Sequence, residues 1–569
     1  MKKISFLFFI LLILSACHTK PAIEDTQLYQ KKAVEASKGM VATAHPLATQ
    51  IGVNILKEGG NAFDAAVAVQ FALAVVYPRA GNIAGGGFAV YRKADGESGS
   101  LDFREKAPRK ANRDMYLDEA KNVIPKLSSF GGLSIGVPGS VDGMINLQKK
   151  LGSLPFQQLI QPAINLARKG FVLTATEAKK LNAYQKDFLK ANDSSTFFYN
   201  GGRWKKGDSI FLPQLAKTLE LIRDQGRKGF YSGKTAQAML SEMHDKGGII
   251  SQADFDAYQS AWRKPIKGDY KGYTLISMPP PSSGGIALLQ LLKGSEAYDF
   301  AKFGHNSAQS IHLMTELERR VYADRATYLG DSDFYPVPQD MLLSDEYLKE
   351  RFSDIKMDEK TDSKDIKEGD VEIIESVETT HFSIVDKDHN AIGITTTLNG
   401  NFGSKVFVEK GGFFLNNEMD DFSVKPGVPN QFGLVGAEAN AIEPEKRMLS
   451  SMTPTILEKE GDLFMVLGSP GGSTIITSVY QTILNVIDYK MNMQEAVNAT
   501  KTHSQWLPDR VLYEKNGLNP EIINQLNALG HKLEARNVIG KIDAVLVLPD
   551  GRLQGAADPR GDDTAMGVN

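Results

Sequence analysis

Apolar and polar positions fall into distinct periods along this chain, and each period predicts a different element. Leu47 to Lys57 has helical spacing and stops at Gly59-Gly60. Asn61 then caps a second helix, Ala62 to Val76, which ends before Pro78. That helix is apolar nearly all round, with Ala65-Ala66-Val67-Ala68-Val69 in its middle, the pattern of a helix buried in a large core. The Gly-rich stretch Gly81 to Gly87 leads into a strand at Phe88 to Arg92, and a second strand is predicted at Ser100 to Arg104. From about Pro155 to Leu348 the spacing is mostly helical. One loop interrupts it, Met278-Pro279-Pro280-Pro281-Ser282-Ser283-Gly284-Gly285, whose prolines hold the backbone extended while its small residues permit close approach. Asp354 to Glu375 is rich in Asp, Glu and Lys and reads as an exposed, weakly ordered segment. Beyond it the period drops to two. His381 to Val385 and Ala391 to Leu398 form a hairpin around Asp386 to Asn390, and Phe464 to Gly468 is another strand, followed by a helix from about Ser473 to Asp488.

The first residues follow a different logic. Met1-Lys2-Lys3 is a positive start, and Ile4 to Leu14 is an apolar run too short to span a bilayer, so residues 1–17 read as an export signal. The run ends in Leu14-Ser15-Ala16-Cys17, which resembles the bacterial lipobox, whose cysteine becomes the lipidated first residue. The plainer alternative is a signal cleaved near Ala16 with Cys17 incidental. Residues 18–38 are polar and without period, as expected of a tether. Export to the periplasm and a lipid anchor at Cys17 are the expectation.

Composition narrows the chemistry. With 569 residues, 42% hydrophobic and 23% charged, a packed globular body of several domains or one large layered unit is expected. The net charge of -3 comes without a basic stripe, so nucleic acid is not a partner. Cys17 is the only cysteine, which excludes disulfides, a thiol nucleophile and a cysteine zinc site. The nine histidines form no H-E-x-x-H pattern, so no metal is expected. Gly132-Leu133-Ser134-Ile135-Gly136 matches G-x-S-x-G, but Val137-Pro138-Gly139 resists the helix which that motif requires. Gly85-Gly86-Gly87 reads as a tight turn rather than a phosphate loop.

What remains is Glu378-Thr379-Thr380-His381, where the charged segment meets the β pattern. A threonine hydroxyl is a poor nucleophile unless a base takes its proton, and the α-amine of a chain-terminal Thr is one such base. An internal Thr379 gains that amine only if the chain is cut before it. Downstream, Asn416 to Phe422 places three acids and two amides in seven residues, which alone could be a solvated turn. Ser469-Pro470-Gly471-Gly472 precedes a helix and can aim backbone N–H groups at developing negative charge.

These motifs in this order, with Asp102-Phe103-Arg104-Glu105, Pro279 to Gly285 and Leu449-Ser450-Ser451-Met452, resemble the γ-glutamyltranspeptidase family of N-terminal-nucleophile hydrolases. The resemblance covers the chain after the tether. It implies an α+β fold, a four-layer αββα sandwich, and a precursor that cuts itself at Glu378-Thr379 into a large subunit (39–378) and a small one (379–569) that stay together as a heterodimer. It implies that Thr379 is the nucleophile, that Thr397 assists, and that Gly471 and Gly472 form the oxyanion hole. Arg104, Ser450 and Ser451 would take the α-carboxylate of a glutamyl donor, and Asp421, Glu418 and Asn399 its ammonium. Lys425 to Gly436 would be the lid, carrying Phe432 where some relatives have Tyr, so its polar latch is in question. The implied substrates are glutathione and other γ-glutamyl amides, with water, amino acids or dipeptides as acceptors and no cofactor. Two rivals stand beside this: a glutaryl-type cephalosporin acylase on the same scaffold, against which the acidic Asp421 argues, and an uncut, non-catalytic surface lipoprotein.

Overall fold

The computed structural model describes residues 32–192, 196–366 and 379–569. Cys17 and Glu378 lie outside the described residues. Two seven-stranded sheets face each other. The first runs in the order Val34–Ala36, Leu553–Ala557, Asp543–Val547, Asp462–Gly468, Thr455–Lys459, Tyr273–Ser277, Ile266–Tyr270. The second runs Thr564–Val568, Gly39–Thr43, Thr380–Asp386, Ala391–Thr397, Gly86–Arg92, Ser98–Asp102, Ala261–Arg263. All their pairings are antiparallel.

The alternation of each strand assigns its faces to different layers. On Thr380–Asp386, Phe382 and Ile384 join the core made with the helices Pro46–Lys57 and Ala62–Val76, while Val385 packs between the sheets with Phe88, Ile276 and Val466. The other sheet is covered by the helices Gly284–Ser295, Ala308–Tyr328 and Thr474–Ile487. The result is the expected four-layer αββα sandwich. Ala62–Val76 is buried at every position, as its apolar circumference demands, and Asn61 and Asp64 close a capping box at its start.

Three expectations need correction. Val34–Ala36 is an edge strand paired with Leu553–Ala557, so a tether reaching residue 38 is too long. The stretch 155–348 contains the strands Ala261–Arg263, Ile266–Tyr270 and Tyr273–Ser277, too short to break the helical pattern around them. Within the charged segment, Ser363–Ile366 is a 3-10 turn whose Ser363 is buried and donates to the Trp506 carbonyl at 2.7 Å. Gly132–Ser134 is likewise a 3-10 turn, and the Ser134 hydroxyl donates to its neighbour Gly131, so it forms no nucleophile elbow. The glycine run opens the strand Gly86–Arg92, and a Cβ on Gly85 would stand 2.0 Å from the Thr397 carbonyl oxygen, so glycine is required there for close packing.

Candidate active site

Thr379 stands one residue ahead of the strand Thr380–Asp386, in the middle of its sheet, and is 4% exposed. Its hydroxyl is 3.5 Å from that of Thr397, the last residue of the neighbouring strand. The Thr397 oxygen accepts the Asn399 backbone N–H at 2.7 Å. His381 lies two residues on, bonded to Thr395 at 2.8 Å and Ser383 at 3.0 Å. Burial pushes its imidazole down to about 3, so it is neutral and tied into the sheet rather than a base.

Around Thr379 the fold gathers residues from six separate stretches of sequence. One cavity is lined by Arg104, Thr379, Thr397, Asn399, Glu418 and Asp421, with Phe432, Ser450, Ser451 and Gly472 also in its wall. Of the residues singled out in the sequence, Gly471 is beside the cavity but not in its wall. Its φ of 141° and that of Gly472, 55°, lie in the region that favours glycine. Neither N–H donates to a protein acceptor among the described residues, so both remain available.

Arg104 is not the surface partner that its strand-end position allows. It is wholly buried and bonds Glu418 and, at 2.5 Å, Asp421, with Glu105 3.6 Å away. Burial pulls its pKa down, but the three carboxylates outweigh that and hold it raised. Burial raises Glu418 and Asp421 above the usual carboxylate range, against the pull of Arg104. The 3-10 turn Glu418–Asp421 is mostly buried, which excludes the solvated-turn reading of this acidic run. Removing one partner from such a buried set costs about 3–5 kcal/mol.

The segment 425–436 is closed over the cavity. Asn430 donates to Asp421 at 3.2 Å, the Gln431 N–H to Asp420 at 2.9 Å, and Gln505 to the Phe432 carbonyl at 3.2 Å. Phe432 therefore needs no hydroxyl for a polar latch; its ring lies against Gly472, where a Cβ would approach within 2.6 Å. Closure leaves only about 20 Å³ inside, room for about one water.

The proline loop also finds its partner. Ser283 N–H and hydroxyl both donate to the Ser450 carbonyl, at 2.8 and 2.7 Å, and Ser282 donates to that of Met452 at 2.7 Å.

The comparisons with known proteins agree with this arrangement. The family model described as Gamma-glutamyltranspeptidase matches residues 48–568. The chain is 47% identical over 537 residues to a glutathione hydrolase proenzyme of Escherichia coli (strain K12), covering 94% of this chain and 92% of that one. The chain belongs to the γ-glutamyltranspeptidase family. Among solved structures, a Helicobacter pylori γ-glutamyltranspeptidase is 45% identical with TM-score 0.55, over 59% of this chain and 96% of that one. A cephalosporin acylase from Bacillus halodurans aligns over 95% of this chain and 97% of its own with TM-score 0.82, at 27% identity. The higher identity to the hydrolases and transpeptidases favours γ-glutamyl over acylase chemistry, and the protein is an enzyme of the glutathione hydrolase and γ-glutamyltransferase kind.

One charged residue of the cavity wall escaped the sequence reading. Arg325, on the helix Ala308–Tyr328, is 5% exposed and donates to Ser283 at 3.0 Å and Ser451 at 3.2 Å. Burial lowers it to about 10, which leaves it cationic at neutral pH. An Arg late in a charged helix gives no local signal of this role, because Ser283 and Ser451 are 42 and 126 residues away. As for metals, His312, Glu316 and His531 come together, but Glu316 already accepts from Arg320 at 2.8 Å and from the Thr361 N–H at 3.1 Å, and His312 from or to His531 at 2.7 Å.

Proposed function

We propose that Thr379 is both the agent of cleavage and the catalyst. Its hydroxyl attacks the Glu378 carbonyl, the peptide bond shifts to an ester, and water releases the chain ending at Glu378 from residues 379–569. Thr397 is the adjoining hydroxyl that assists. The freed α-amine, with an ordinary pKa of roughly 7.7–8.0, is then partly neutral and takes the Thr379 hydroxyl proton. The oxygen attacks the γ-carbonyl of a glutamyl amide, the C–N bond breaks, and the amine leaves with the proton. Water hydrolyses the resulting ester, or a second amine takes the acyl group. The N–H groups of Gly471 and Gly472 hold the oxyanion at each tetrahedral stage.

The observation that carries this reading is the charge pattern beside Thr379: one buried guanidinium bonded to the buried Glu418 and to the half-buried Asp421. A zwitterion can enter such a pair without leaving any charge alone. Its carboxylate takes Arg104, with Ser450 and Ser451, and its ammonium takes Asp421 and Glu418, with Asn399. A glutaryl group lacks the ammonium and would strand the acids. Entry requires segment 425–436 to lift, since the closed cavity does not hold a glutamyl group. The donors are glutathione and related γ-glutamyl amides, and the two chains form a heterodimer. Met1 to Cys17 supports export, with the lipid carried on Cys17 and the enzyme facing the periplasm; absence of radiolabelled palmitate from the purified protein would remove the anchor from this reading.

The central test is a denaturing gel with a γ-glutamyl anilide assay. The wild type gives two bands, the smaller beginning at Thr379, and releases aniline. Thr379→Ala stays as one band without activity; a variant still cut at that bond refutes self-cleavage.

A further inference from the structure

The wall of the glutamyl cavity has two halves, the acidic turn Glu418–Asp421 and the stretch 449–451 with its two serines. A clamp for a zwitterion works only if the spacing between them is right. Arg104 is one bridge across that space. It bonds Glu418 and Asp421 on one side and donates to the carbonyls of Met448 and Leu449 on the other, at 3.3 and 3.5 Å. A donor disturbs this bridge when it binds, because its carboxylate competes for the guanidinium.

A second bridge lies behind the wall. The Asn440 amide donates from Nδ2 to the Asp421 carbonyl at 2.7 Å, and its Oδ1 accepts the Leu449 N–H at 2.9 Å. Both partners are main-chain groups, one an acceptor only and the other a donor only, so a single orientation of the amide satisfies them. Asn440 is 5% exposed and is not part of the cavity wall, whereas Asp421 and Leu449 are. It acts on a ligand only through those two residues. Asn440 also stands at the foot of the segment 425–436, where it ends the 3-10 turn Glu438–Asn440. Its carbonyl accepts the Ser423 N–H at 2.9 Å, and the Gly427 N–H donates to the Gly436 carbonyl at 3.2 Å. The neck of the segment is thus closed by main-chain bonds. The part that covers the cavity can lift above this neck while the Asn440 side chain keeps Asp421 and Leu449 in place.

We propose that Asn440 is a positioning residue that fixes the distance between the ammonium-holding and carboxylate-holding halves, and so makes the site selective for ligands that carry both charges; this rests on the zwitterion reading above. A ligand with two charged ends gains from the second contact only when the first already holds it at the right span. A shift of about 1 Å between the halves is enough to remove that gain. A ligand with one charged end loses little, because it settles on the half that it fits.

Competitive inhibition of γ-glutamyl anilide hydrolysis tests this, with L-glutamate, glutarate and 4-aminobutyrate as inhibitors. Glutarate lacks the ammonium and 4-aminobutyrate the α-carboxylate, so each engages one half of the clamp. In Asn440→Ala the Ki of L-glutamate should rise roughly tenfold, as expected when two main-chain anchors are lost. The Ki values of glutarate and 4-aminobutyrate should rise less than about threefold. An equal rise in all three would mean that the site is loosened as a whole, and no rise would mean that the halves are held without Asn440; either overturns the proposal. Asn440→Asp keeps the acceptor for Leu449 and loses the donor to Asp421. It should separate L-glutamate from the other two in the same way, and it decides the matter if Asn440→Ala fails to process into two chains. If neither variant is processed, Asn440 serves folding rather than spacing, and the proposal falls. A wild type that releases aniline but binds L-glutamate no better than glutarate removes the zwitterion reading itself, before any variant is made.

Discussion

At the scale of single residues, what distinguishes this site is how its hydroxyls are aimed. Arg325 donates to Ser451, so that oxygen has a lone pair committed and must turn its own proton elsewhere. The cavity is the direction in which a donor carboxylate would receive it. Arg325→Gln is therefore expected to raise the donor KM by roughly 10- to 100-fold, the range for hydrogen bonds to charged groups, while kcat at saturation falls much less. Arg325→Lys should recover little, since an ammonium cannot reproduce the fork that reaches Ser283 and Ser451 together. Steady-state rates with a γ-glutamyl anilide check both variants; an unchanged KM would show that Ser451 is aimed without Arg325. Arg104 and the acids of 416–422 could be named in advance because the family resemblance points to them, and the fold brings them together. Arg325 could not, because its partners are brought to it only by the packing of the helix layer on the sheet.

The element that best shows why sequence patterns run out is the helix Ala308–Tyr328. Eighteen of its 21 residues are buried, among them Glu316, Glu318, Arg319, Arg320, Asp324 and Arg325. Read by period it looks like a polar helix, since charged residues point to every side. Its ions are satisfied partly within the helix, Glu316 by Arg320 at 2.8 Å, and partly by distant segments, Arg320 by Asp354 at 2.9 Å and Glu318 by the Ser504 N–H at 2.8 Å. Pattern locates this helix but cannot say that it is interior. By contrast Ala62–Val76 was legible to the residue, because a helix whose single charge, Asp64, is used in its own cap and whose remaining faces are apolar or uncharged has only one place to go. Glu318 gives the element a pH dependence. Burial pushes its carboxyl well above the usual range, against weaker pulls from Ser504 and Arg319. Below the ordinary Glu pKa both folded and unfolded chains hold the proton, and no penalty arises. As pH rises from there toward the raised value, only the unfolded chain releases it, so stability falls by about 1.4 kcal/mol per pH unit. Glu318→Gln keeps an acceptor for Ser504 and has no such slope. Its melting temperature should pull away from the wild type as pH rises above the ordinary Glu value of about 4.3; a constant gap would mean that Glu318 is ionised in the fold.

On the scale of the whole molecule, the two sheets are woven from both sides of residue 379. The sheet that holds Thr380–Asp386 seats it between Gly39–Thr43 and Ala391–Thr397, and the other sheet carries Tyr273–Ser277 against Thr455–Lys459. After a cut, the two chains would still share backbone hydrogen bonds in both sheets and one apolar layer between them. They should run as a single species on size exclusion even in about 1 M NaCl, where surface ion pairs are screened, and part only in denaturant. Separation by salt alone would mean that the layers are held by surface charge. The position of Thr379 has a further consequence for how such a protein can be made. Ribosomes begin chains with methionine, so a gene starting at residue 379 would bury that methionine ahead of the strand. Once the chain has folded, an end at 4% exposure is out of reach of an aminopeptidase, so trimming would have to come before folding. An open reading frame that continues through this point, with the proposed break made from within after folding, would give a threonine its free amine already seated in the sheet.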